Sequence, residues 1–142
     1  MKISKLFIVL ILAISFTNVY SQKRFVKTKC LPVLKPFVYN GQLNSANLAE
    51  GDIAELLLTF YGGQDYRILV CSQEVLGNVE FKLFDTNKNL IFSNKDHDYI
   101  NYWDFTSNTT QQLVVRVKVP KQEDSGDIKQ SGYVSILVGF KE

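Results

Sequence analysis

Residues that carry chemistry are scarce in this chain of 142 residues, which has one histidine, one tryptophan, one methionine, two cysteines and three prolines. With His97 as its single histidine, the chain cannot form the His-Glu-x-x-His pair of a zinc protease. No Gly-x-Ser-x-Gly elbow occurs, so the usual exposed-serine hydrolase arrangement has no sequence support. Without a Cys-x-x-Cys pair a thioredoxin-type redox centre is excluded, and a cysteine-ligated metal would lack its remaining ligands. Charge of one sign is also lacking. Lys+Arg 16 stand against Asp+Glu 14, and setting aside Lys2 and Lys5 leaves 14 of each beyond residue 21. That balance disfavours a polybasic nucleic-acid binder. No motif for a cofactor or metal is present, and none is expected.

The first 21 residues have a different character. Met1 to Lys5 carry positive charge, and the run from Leu6 to Phe16 is almost wholly apolar. Val19 and Ser21 then stand at minus three and minus one of a signal-peptidase site before Gln22. The apolar run is about half the roughly 20 residues that a bilayer-spanning helix needs, so a cleaved signal peptide is expected rather than an anchor. No later stretch reaches that length, and Lys27-Thr28-Lys29 ahead of Cys30 does not fit a lipid-attachment box. The resulting expectation is a secreted or periplasmic protein, cleaved near Ser21/Gln22, with no transmembrane segment in its mature chain.

In an oxidising compartment Cys30 and Cys71 are expected to form a disulfide, the alternatives being two buried thiols or a bridge to another chain. The segment 22–36 is basic through Lys23, Arg24, Lys27, Lys29 and Lys35. Pro32 and Pro36 predict that it is extended. Its ordinary role is a solvated arm, and docking on an anionic surface is the sharper one.

From residue 37 the dominant signal is alternation. Phe37 to Leu43 predicts a first strand, broken near Asn40-Gly41. Ala54, Leu56, Leu58 and Phe60 share one phase, and Leu57 on the other suggests a central strand. A helix over Ala46 to Leu58 is the competing reading, on the propensities of Ala, Leu and Glu. Gly62-Gly63 reads as a hairpin turn into Gln64–Ser72. Val79, Phe81 and Leu83, the short run Leu90–Ser93, the aromatic run Tyr99–Phe105, then Leu113, Val115, Val117 and Val119, and finally Tyr133–Phe140 complete the series. A charged loop, Lys121 to Ser131, precedes the last strand, in which Gly139 marks a bulge or a close backbone contact. The expected fold is all-β: an antiparallel two-sheet β-sandwich, jelly-roll-like, of 7–8 strands over 37–142, with a closed barrel as its rival.

Within that frame few positions invite chemistry. Asp96-His97-Asp98 places an imidazole between carboxylates, but adjacent residues of an extended chain diverge. Asp85-Thr86-Asn87-Lys88-Asn89 matches the start of a calcium loop, yet Leu90 and Asp96 stand where that loop needs glycine and a final acid. Asn108-Thr109-Thr110 fits the N-glycosylation pattern of a eukaryotic source. Arg67, Arg116 and Lys118 are expected at the solvent face. Tyr99, Tyr102, Trp103 and Phe105 form the densest aromatic cluster and are the candidate ligand-binding residues, against the plainer reading of core or sheet-edge side chains.

Tyr39-Asn40-Gly41, Gly62-Gly63-Gln64-Asp65-Tyr66-Arg67-Ile68 and Leu83-Phe84-Asp85, with a leader ending in Ser21-Gln22, give the chain a family likeness. It resembles small exported proteins of Bacteroidetes bacteria and, over Phe37 to Phe140, the C-terminal accessory β-sandwich domains of secreted bacterial peptidases. The resemblance implies binding or folding assistance rather than catalysis. The chain departs from it in carrying no attached enzyme and no calcium constellation. The functional expectation is a non-catalytic extracytoplasmic module binding a protein or cell-envelope component. The alternatives are a small hydrolase of an envelope polymer, using paired carboxylates among Glu80, Asp96, Asp98 and Asp104, and a lipocalin-like small-ligand carrier.

Overall fold

The computed structural model describes residues 21–123 and 128–142. The signal-peptide reading of 1–21 therefore lies outside the described residues except at Ser21, as does the middle of the charged loop before the last strand.

Nine strands form among the described residues: β1 (Val38–Tyr39), β2 (Asn44–Ala49), β3 (Ile53–Phe60), β4 (Gln64–Ser72), β5 (Glu80–Asp85), β6 (Leu90–Ser93), β7 (Tyr102–Ser107), β8 (Gln111–Lys118) and β9 (Ser131–Phe140). Every pairing is antiparallel, in two sheets. One has the order β1-β9-β4-β7 with β2 also on β9, and the other β3-β8-β5-β6. The fold is thus an all-β two-sheet sandwich, and the sheets do not close into the rival barrel.

The order has a simple origin. Counting β1 and β2 as one broken strand, the chain is a two-stranded ribbon whose tip is the β5–β6 hairpin, with β4–β7, β3–β8 and β2–β9 as successive segments. Rolled up, the ribbon alternates between sheets, which is a jelly roll. At each corner both chains of the ribbon cross together and hydrogen-bond to each other. Gly51 N donates to Val119 O and Val119 N to Asp52 O, both at the β2–β3 corner. Gly63 N donates to Ser107 O at the β3–β4 corner. Between β6 and β7 the buried Asn94 side chain does this work, donating to Val79 O and Ile100 O and accepting from Phe81 N.

Three sequence expectations change accordingly. Gly62-Gly63 is a corner between sheets, not a hairpin: β3 pairs with β8 and β4 with β7 and β9. Glycine is needed at position 62 because a Cβ there would lie 3.1 Å from the backbone of Thr109 and Thr110 in the adjacent corner. Strand β3 is an edge strand rather than a central one, and Leu57 faces out. The helix weighed over Ala46 to Leu58 is absent, because β2 and β3 each have a partner ladder that overrides helix propensity.

The core between the sheets takes the alternating residues as expected. Phe60, Ile68, Phe81, Leu83, Leu113, Val115 and Val117 are among the most deeply buried. A second cluster lies outside the five-stranded sheet, where Val26, Cys30 and Leu34 pack on Leu69, Cys71 and Leu137. The segment carrying the first three was expected to be extended, but 21–34 is helical, through a π-helical turn Val26–Cys30 and an α-helical turn Leu31–Leu34. Pro32 does not oppose this, since it sits in the first turn of its helix, where its missing N–H is not required. The spacing of Val26, Cys30 and Leu34 gives the arm one apolar side and leaves Lys23, Arg24, Lys27 and Lys29 exposed. The Cys30–Cys71 disulfide, with Cα atoms 5.7 Å apart, ties this arm to β4. Gly139 is the close contact expected of it: a Cβ there would lie 2.7 Å from Phe37 Cβ.

Candidate functional site

The outer face of the four-stranded sheet has no such cover among the described residues. Its outward positions fall into rows set by strand register. Leu57 lies opposite Val114, Val114 opposite Phe84, and Phe84 opposite Leu90, so one apolar row crosses all four strands. Leu57 is 53% exposed and Leu90 55%, with Val114 and Phe84 half-buried between them. The β5–β6 register shift at Leu83/Phe84 skips Ile91 and brings Leu90 into the row.

Polar rows flank it. On one side Glu55, Arg116 and Lys82 align, with Arg116 Nε 2.8 Å from Glu55 Oε1 and Lys82 Nζ 3.2 Å from Glu80 Oε1. The Arg116 guanidinium lies 4.5 Å from the centre of the Phe84 ring, so the charge borders the apolar row directly. On the other side Thr59 lies opposite Gln112. An apolar strip with a charged rim is how a protein interface is built, with burial at its centre and polar selectivity around it.

The aromatic residues singled out from sequence do not converge on one exposed platform. Trp103 and Phe105 point into the sandwich and stack with rings 4.7 Å apart. Trp103 stacks also on Phe92 at 5.1 Å, and Phe92 on His97 at 5.2 Å. This ladder closes the gap between the β6 and β7 edges. Tyr102 lies on the opposite face of its sheet, with the Arg67 guanidinium 4.2 Å from its ring centre. Tyr99 stands apart in the loop before β7, with φ +57°.

The carboxylates weighed for catalysis are separately engaged. Asp104 receives two hydrogen bonds from Arg67, at 2.7 and 2.8 Å, and Glu80 pairs with Lys82. Asp96 lies in the 3₁₀ turn Asn94–His97 and Asp98 caps it with a left-handed backbone. No cluster of three or more His, Cys, Asp or Glu that could hold a metal occurs among the described residues. In the calcium-like stretch the Asp85 carboxylate accepts from the backbone N–H of Asn87 and Asn89 and from the Asn89 amide. Those bonds hold its pKa below the ordinary carboxylate value.

Arg67 was expected at the solvent face and is instead a staple. Its side chain is 13% exposed, it donates to Val33 O and Lys35 O of the arm as well as to Asp104, and it lies 4.9 Å from the Phe37 ring centre. The bond to Asp104 raises its pKa further. Arg116 and Lys118 do lie at the surface.

An open cleft of about 660 Å³ runs between the sheets where β3 faces the break between β1 and β2. Its wall mixes Asn40, Gln42, Thr59 and Gln64 with Leu57 and Phe140. Among the described residues no Asp, Glu, Lys, Arg or His lines it.

The apolar row escaped sequence reading for a definite reason. Leu57, Val114 and Phe84 each fall on the outward phase of an amphipathic strand, but only the register shows that they align.

No family model matches the sequence, and no curated protein is significantly similar to it. Among solved structures the fold is similar to that of PliG from Aeromonas hydrophila, a periplasmic inhibitor of g-type lysozyme. The two share 15% identity over 75% of this chain and 90% of that one, with a TM-score of 0.50. A de novo designed double-stranded β-helix aligns with 11% identity over 70% of this chain and 99% of that one, with a TM-score of 0.34.

Proposed function

We propose that the chain is a non-catalytic, extracytoplasmic module that binds a protein, and that it docks through the uncovered face of its four-stranded sheet. The observation that carries the reading is the apolar row Leu57–Val114–Phe84–Leu90 with its charged border. Location outside the cytoplasm is supported by the signal-like first 21 residues and by the Cys30–Cys71 bridge, which persists in oxidising surroundings. PliG, of similar fold, is a periplasmic protein whose partner is an enzyme, and a sandwich of this kind serves such a role without a catalytic centre. The proposal extends to origin: the leader's Ser-Gln ending fits an exported Bacteroidetes protein.

The test compares the exported protein with its Phe84→Ser/Leu90→Lys variant. Each is immobilised and exposed to purified g-type lysozyme and then to envelope extract. One partner bound at roughly micromolar affinity or better, and weakened about tenfold or more by the double variant, is the expected result. Equal capture by both forms overturns the face. Inhibition of the lysozyme would carry the likeness to PliG from fold to function. Release of reducing sugar or peptide from envelope polymer by the protein alone would favour the hydrolase alternative.

A further inference from the structure

We infer that β3 is a self-pairing edge, so that two copies of this chain join their four-stranded sheets into one. The inference goes beyond the proposed partner-binding role and does not depend on it.

Unpaired sheet edges are normally blunted by shortness, bulges, proline or lysine. Three of the four edges here conform. The β1–β2 edge is broken in two at Asn40 to Leu43, and β6 has four residues with a register shift beside it. Strand β7 has six residues. Strand β3 is the exception: eight residues, no register shift against β8, no proline or lysine, its one charged side chain, Glu55, neutralised by Arg116, and β8 as its strand partner among the described residues.

Its outward groups are the right ones. Gly62 N donates to Thr110 Oγ1 and Asp52 O accepts from Val119 N, so even-numbered residues address β8. By the alternation of an antiparallel ladder, the N–H and C=O of Ile53, Glu55, Leu57 and Thr59 therefore point to the open edge.

The side chains beside them form a palindrome. Ile53, Leu57 and Tyr61, which are 58%, 53% and 66% exposed, are spaced evenly about Leu57. A two-fold axis at Leu57 sets Leu57 against Leu57 of the second copy, Glu55 against Thr59 and Ile53 against Tyr61. On the inner side it sets Leu56 against Leu58 and Ala54 against Phe60. Ile53 with Tyr61 is an aromatic–β-branched match of side chains just past the strand, where the Tyr61 N–H donates to Tyr66 Oη, and no pairing opposes like charges. The apolar row then runs unbroken from Leu90 of one copy to Leu90 of the other.

The experiment uses the exported protein with its Cys30–Cys71 bridge intact. Sedimentation equilibrium across a concentration series is expected to show a reversible dimer for the unchanged chain. Leu57→Lys, which places like charges together on the axis at a site that is exposed in one copy, weakens association about 100-fold or more while its circular dichroism stays unchanged. Leu57→Cys supplies the register: Cα atoms of a hydrogen-bonded pair stand about 5.5 Å apart, a separation that suits a disulfide, so mild oxidation gives a covalent dimer. Asn87→Cys on the β5–β6 turn does not. A monomer at every concentration, or equal cross-linking of Leu57→Cys and Asn87→Cys, overturns the inference and leaves the edge to an extended segment of another protein. Neither readout requires the partner of the proposed function, so the two readings fail separately.

Discussion

The two sheets of this sandwich both carry apolar side chains on their outer faces, and they dispose of them differently. On the five-stranded sheet Leu69, Cys71 and Leu137 are covered by the chain's own arm, through Val26, Cys30 and Leu34. On the four-stranded sheet Leu57, Val114, Phe84 and Leu90 stand in a comparable row with no described segment over them. The covered face is also fastened, by the disulfide and by Arg67. The uncovered face has only side-chain pairs within its own surface. An outward apolar row on a sheet is therefore not in itself a sign of binding. What separates the two is whether the same chain supplies the cover, and among the described residues it does so for the five-stranded sheet and not for the four-stranded one.

Removing the fastening is the most severe way to break this comparison. The bridge closes a sequence separation of 41 residues, and the loop-entropy relation gives about 4 kcal/mol for a loop of that size. Cys30→Ser/Cys71→Ser is expected to lose that amount in urea unfolding. Proteolysis within 22–36 should rise with it, as the arm leaves Leu69 and Leu137. A loss under about 1 kcal/mol would mean that packing alone holds the arm, and that the two faces differ less than the bridge suggests.

Arg67 provides the next largest effect. Its fork joins Asp104 on β7 to two arm carbonyls, under the rings of Phe37 and Tyr102. Arg67→Ala abandons charge-assisted hydrogen bonds and leaves the Val33 carbonyl without this donor, which costs about 2–3 kcal/mol. Arg67→Lys should recover little of this, since an ammonium cannot span Asp104 and the arm with the geometry of a guanidinium. Denaturant midpoints of the three proteins decide it: equality of Arg67→Lys with the unchanged chain would show that charge, not the fork, is what staples the arm.

How much of this was legible in the sequence follows from the range of each interaction. The inward phases of β4, β5, β8 and β9 follow from local alternation, so Ile68, Phe81, Val115 and Ile136 were readable as core. The Cys30–Cys71 pairing was readable because a chain with two cysteines behind a signal-like start has few choices. The arm's helix was not, because Pro32 and Pro36 weigh against one locally while the docking of Val26, Cys30 and Leu34 on a distant sheet favours it. The Gly62-Gly63 corner was misread because a hairpin and a crossing between sheets use the same residues. They differ only in where the next strand finds its partner. The same holds for the apolar row, whose members lie far apart in sequence, and for Asn94, whose value at a corner depends on Val79 and Ile100 arriving beside it.

The smallest effect sharpens the comparison from the side of the uncovered sheet. With no arm over it, the β5–β6 end of that sheet relies on its own turn, where the Asp85 carboxylate gathers the N–H groups of Asn87 and Asn89. These bonds favour the charged form and lower the folded-state pKa below the unfolded one. The stabilisation is therefore complete above the ordinary carboxylate pKa and lost as pH falls through the depressed folded value. Acid should accordingly raise amide exchange at Asn87 and Asn89 before it frees the arm, whose covalent tether is indifferent to pH. Asp85→Asn should show faster exchange at those two amides near neutrality and no further acid step there. If the arm and the turn instead loosen together over one pH range, the two faces share a single cooperative unit and the contrast between them belongs to packing alone.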